Sequence, residues 1–90
     1  MNPMNDYEWD ERKRQENWEK HQIDFTAVYD FEWDTAVYNS NDAHGEERIV
    51  ATSYVGTRLH TVVYTLREGR KRIISLRIAS NRERREYAEA

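Results

Sequence analysis

Apolar and charged positions alternate over Tyr7-Glu8-Trp9, the period of a short edge strand, and Asp10 stands where a carboxylate caps a helix running to about Lys20. That helix is polar almost throughout. Glu11 to Asn17 are helix-tolerant, Arg12/Glu16 and Glu16/Lys20 have ion-pair spacing, and Trp18 is the one large apolar anchor. Such an element belongs at the edge of a domain, with Asn17, Lys20 and His21 accessible. Asp24 is placed to cap a second short helix, with Phe25, Val28 and Tyr29 as its apolar stripe. Phe31–Asn39 reads as a strand or extended entry segment, and Asn39-Ser40-Asn41-Asp42-Ala43-His44-Gly45 as a surface loop.

Three stretches rich in β-branched and aromatic residues follow: Glu46–Tyr54, Arg58–Arg67 and Lys71–Ala79. Short connections holding Gly56 and Gly69 separate them, so they predict an antiparallel three-stranded meander. Ser80 and Glu83 have capping-box spacing and predict a last helix over Asn81–Glu89. The expected fold class is α+β: two N-terminal helices, a small antiparallel sheet with a three-stranded meander, and a C-terminal helix.

Ninety residues suit a single domain, 1–90, and without cysteine no disulfide framework or cysteine-based zinc site supports it. No apolar run spans a bilayer, and Met1 to Asp6 lack signal-peptide features, which makes a cytoplasmic protein the expectation. The net charge is −3, but it is segregated: residues 1–66 hold 6 Lys and Arg against 13 Asp and Glu, residues 67–90 hold 8 against 4. The basic end suits a phosphate backbone and the acidic remainder a basic partner, although two solvated surfaces would look the same. Direct DNA recognition is disfavoured by the acidic balance and the lack of a helix-turn-helix pattern.

Three ordered blocks carry a resemblance to a known family. The first is Tyr7-Glu8-Trp9-Asp10 with Asn17, Lys20-His21, Phe25 and Ala27; the second is Gly45-Glu46-Glu47-Arg48. The third is Arg72-Ile73-Ile74-Ser75-Leu76-Arg77 followed by Arg82-Glu83-Arg84-Arg85-Glu86-Tyr87. Over nearly its whole length the chain resembles the BrnT toxin family, departing from it with Gln22 in place of the usual glycine and Leu76 in place of the usual alanine. The resemblance implies a RelE-like fold and RNA cleavage. It also implies neutralisation by a BrnA-like antitoxin carrying a ribbon-helix-helix region, through which alone operator DNA would be bound, in a hetero-oligomer with the toxin.

Metal-free RNA cleavage uses the adjacent 2′-hydroxyl as nucleophile, so the protein must move protons and stabilise phosphate charge. The candidate catalytic residues are Lys20, His21, Arg77, Arg82 and Tyr87, with Arg72 and Lys71 as substrate-binding cations and no metal or cofactor. Lys20-His21 supply a cation and an imidazole, or form only a charge device at a helix C-terminus. Arg72 and Arg77, five apart, are expected on opposite faces of one strand, Arg77 sharing its face with Lys71, Ile73 and Ser75. Arg77 suits an oxyanion, or else pairs with Glu83 to fix the last helix. Tyr87 either works on RNA or anchors that helix. His44 and His60 form no recognised ligand set with His21. A non-catalytic interaction domain is the alternative function, and convergence of Arg77 with Lys20-His21 separates the two.

Overall fold

The computed structural model describes residues 6–41 and 47–90. Its elements are β1 (Tyr7–Glu8), α1 (Glu11–His21), 3-10 turns at Phe25–Asp30 and Trp33–Thr35, β2 (Val37–Asn41), β3 (Arg48–Val55), β4 (Arg58–Arg67), β5 (Arg70–Ile78) and α2 (Asn81–Glu89). The strands form one sheet in the order β1-β5-β4-β3-β2, with β1 parallel to β5 and every other pair antiparallel.

This corrects the expected fold. The RelE-like plan of two N-terminal helices, a small antiparallel sheet with a three-stranded meander and a C-terminal helix gives way to a sheet-dominated chain with a five-stranded mixed sheet. Two physical causes account for the difference. Tyr7-Glu8 pairs with Lys71 and Arg72 in parallel, a partnership 64 residues away in sequence that local pattern does not reveal. The stretch after Asp24 winds as a 3-10 turn instead of an α-helix. Three residues per turn align Phe25, Val28 and Phe31, all three buried, whereas Tyr29 leaves the stripe and is 47% exposed. The supposed loop beginning at Asn39 is strand through Asn41; His44, Gly45 and the expected strand start at Glu46 lie outside the described residues.

Asp10 caps α1 through the Arg12 N–H, and Ser80 with Glu83 forms the complete capping box of α2. Positive φ at Gly56, and at Glu68 with Gly69, turns the chain between β3, β4 and β5. One sheet face holds the core, in which Phe25, Val28 and Phe31 pack with Ala51, Val62, Tyr64, Ile73 and Leu76. No helix among the described residues is long and apolar enough to cross a membrane.

α1 is held by polar contacts. Trp18 is 50% exposed and anchors nothing, while Asn17, expected to be accessible, is buried. Neither Arg12/Glu16 nor Glu16/Lys20 closes as an ion pair. Arg14 instead braces Glu11 and, through two hydrogen bonds of 2.9 and 3.1 Å, Asp24. That guanidinium and the Thr26 N–H hold the Asp24 carboxyl down to about 2.

Candidate active site

The site is organised by one extra residue in β5. Val63 pairs with Ser75 but Tyr64 pairs with Ile73, so Ile74 bulges out of the ladder. The bulge reverses the expected geometry. Arg72 lies opposite Thr65 and Arg77 opposite Thr61, four residues apart on β4, which places both arginines on the same face together with Ser75. Lys71 and Ile73 lie on the other, core-bearing face. The same phase change lets Ile73 and Leu76, three apart, both be buried.

Asn17 pins α1 beside the bulge. Its Nδ2 donates to the Leu76 carbonyl at 2.8 Å and to the Ile23 carbonyl at 3.0 Å, and its Oδ1 accepts the Leu76 N–H at 3.1 Å. Lys20 and His21 therefore end the helix over β5, where Lys13, Glu16, Asn17, Lys20, His21, Ile74 and Ser75 line a groove of about 200 Å³. Gln22 adopts the left-handed conformation at φ 59°, and its side-chain amide donates to the Trp18 carbonyl at 2.8 Å. That bond offsets the steric cost of a Cβ at this position.

Arg77 grips Glu83 with both terminal nitrogens, at 2.7 and 3.0 Å. Glu83 also accepts the Thr61 hydroxyl at 2.9 Å and the Ser80 N–H at 2.8 Å, while Thr61 bonds Thr52. Burial would push this carboxyl up, but the Arg77, Ser80 and Thr61 hydrogen bonds outweigh it and hold the group down at about 2. Arg77 is thus charge-compensated and fixed in plane, with Nε–H outside the pair. Two further candidate cations are also partnered: Arg72 bonds Glu8 at 2.8 Å, and Arg82, 80% exposed, pairs with Glu86. Among the described residues no carboxylate forms an ion pair with Lys20 or His21.

The structure brings Lys20, His21 and Ser75 into one groove, with Arg77 two residues along the same strand face. Arg82 lies apart, lining a broader hollow between α2 and the sheet with Asn39, Ser40, Val50 and Glu83. Lys71 sits with Nζ 4.7 Å from the Trp33 ring centroid, turned away from this side. The Tyr87 ring meets Tyr54 edge-on, and its hydroxyl donates to Thr35. His60 is buried, its Nδ1 2.9 Å from the Arg58 carbonyl. Sequence reasoning missed Asn17 as the pin and Ser75 as the groove wall; the signal for Asn17 was a polar residue at a position that packing buries.

The fold is that of a ribonuclease toxin from a toxin–antitoxin system. The family described as "Ribonuclease toxin, BrnT, of type II toxin-antitoxin system" matches residues 9–83, and the chain belongs to it. Among solved structures it is similar to the Brucella abortus ribonuclease toxin BrnT, at 30% identity and a TM-score of 0.66, covering 81% of this chain and 94% of that one. No curated protein matches the chain.

Proposed function

We propose that this toxin cleaves RNA internally without a metal ion: in the groove between α1 and β5 the 2′-hydroxyl loses its proton and attacks the adjacent phosphorus, the P–O5′ bond breaks, and the 5′-oxygen leaves with a proton. The observation that carries the reading is the groove in which Lys20 and His21, at the end of α1, meet Ile74 and Ser75 of β5, with Arg77 two residues further along Ser75's face of the strand. His21 exchanges the protons and Lys20 places its charge on the phosphate. Arg77, its plane held by Glu83, offers Nε–H toward the developing oxyanion. Arg72 and Arg82 carry the flanking backbone along the same side. Lys71 and Tyr87 are left out of this path: the first is engaged with aromatic rings on the opposite face, and the second anchors α2. The protein partner is a BrnA-like antitoxin whose ribbon-helix-helix region binds operator DNA, the complex forming in the cytoplasm.

The test is incubation of antitoxin-free protein with a defined RNA in excess chelator. Products ending in a 2′,3′-cyclic phosphate are expected; activity lost to the chelator and restored by a divalent ion would overturn the mechanism.

A further inference from the structure

The core-bearing face of the sheet is unevenly covered. Phe25 and Val28 are fully buried at one end, but toward the other the covering is a run of rings that remains open to solvent. Tyr29 meets Tyr7 edge-on with centroids 5.0 Å apart, and Tyr7 stacks on Trp33 at 6.2 Å. The Tyr38 hydroxyl donates to the Trp33 carbonyl at 3.3 Å. Tyr29 is 47% and Tyr38 49% exposed, a contiguous aromatic strip rather than scattered apolar residues.

The segment that carries Tyr29, Trp33 and Tyr38 is acidic. Residues 22–47 contain seven Asp and Glu and no Lys or Arg. Of these, Asp30, Glu32 and Asp34 are exposed on the segment that carries the rings. The rings already accept a cation: Lys71 Nζ lies 4.7 Å from the Trp33 centroid and 5.9 Å from that of Tyr7. Aromatic faces rimmed by carboxylates suit guanidinium and ammonium groups on a partly apolar scaffold. They repel phosphates, which argues against RNA, and a second copy of the chain would bring the same acids against one another.

We propose that the strip Tyr29–Tyr7–Trp33–Tyr38, with Asp30, Glu32 and Asp34, is the docking surface for a basic segment of the antitoxin. The inference rests on the toxin–antitoxin pairing and not on the cleavage mechanism, because the α1–β5 groove is built from other residues. Docking and catalysis are therefore separable by mutation.

The test titrates the antitoxin encoded beside the toxin gene into wild-type toxin, Asp30→Lys/Asp34→Lys and Tyr29→Ser/Tyr38→Ser, at two salt concentrations. RNA cleavage and thermal unfolding are measured on each free toxin. Expected results are roughly tenfold or greater weakening in each double variant, binding that falls with salt in the wild type, and RNA cleavage equal to wild type. Tyr29→Phe/Tyr38→Phe keeps the rings and should keep the affinity. Unchanged affinity after charge reversal overturns the proposal, as does an antitoxin that fails to bind wild type. A raised KM for RNA in the tyrosine variants reassigns the rings to RNA; loss of a wild-type dimer reassigns them to self-assembly; either result overturns it too. A wild-type toxin that binds antitoxin but cuts no RNA contradicts the cleavage reading alone.

Discussion

Asn17 and Leu76, 59 residues apart, exchange two hydrogen bonds in which a side-chain amide takes the place of a neighbouring strand. β1 is only two residues long and covers β5 at Lys71 and Arg72, so the main chain further along that edge needs another partner. Asn17 supplies one, and by doing so sets the end of α1 over Ser75.

Asn17→Ala should be strongly destabilising, because it strands the N–H and carbonyl of Leu76 in a buried position. A loss of roughly 3 kcal/mol is expected, seen as a melting temperature lower by about 10–20 °C. RNA cleavage should fall with it. A melting curve matching wild type would show that α1 is held by something else.

Arg77→Ala should slow RNA cleavage by roughly 10²–10³-fold while the protein still binds antitoxin. The competing role is written in the same contacts, since the bidentate pair with Glu83 ties α2 to the sheet. Melting temperatures of Arg77→Ala and Glu83→Gln separate the two. Equal, large losses of stability in both, with residual cleavage proportional to folded protein, would make Arg77 a structural tie.

His21→Ala should cost roughly 10²–10⁴-fold in cleavage rate, and Lys20→Ala a smaller factor, with little change in stability because Lys20 is exposed and His21 half-buried at a helix end. Lys71→Ala provides the contrast: RNA cleavage is expected to be retained, because that side chain faces the rings of Tyr7 and Trp33. Single-turnover rates on one RNA report all three.

Acid should weaken the fold partly through Glu83. Its folded value of about 2 lies below the ordinary carboxylate range, so the stability it contributes is complete above roughly pH 4.5 and is lost as pH falls toward 2. Chemical denaturation across that window should show a shallower decline for Glu83→Gln than for wild type. Parallel slopes in the two proteins would remove Glu83 from the account.

Local chemistry was legible where neighbouring residues supply both partners. The Asp10 cap and the Ser80–Glu83 box are such cases, as are the turns at Gly56 and Gly69. Features set by distant partners were not. Tyr7-Glu8 finds its strand beyond residue 70, and the spacing of Phe25, Val28 and Phe31 fits a 3-10 turn only once the sheet beneath is known. The site suffered most from the bulge at Ile74, because a single unpaired residue reverses every later side chain and no residue type in Ile73-Ile74-Ser75 announces it. Lys20-His21 and Arg77 were visible as chemistry, but the side of the strand on which Arg77 lies was not.

The bond between Asn17 and Leu76 also has a temporal meaning. During synthesis α1 emerges early and β5 late, and a helix with no apolar face to bury has little to hold it in place until its partner strand arrives. The groove that joins Lys20 and His21 to Ser75 consequently has no existence in a nascent chain lacking β5. Assembly of the proposed cutting site is thereby deferred until β5, which begins at Arg70, has been translated.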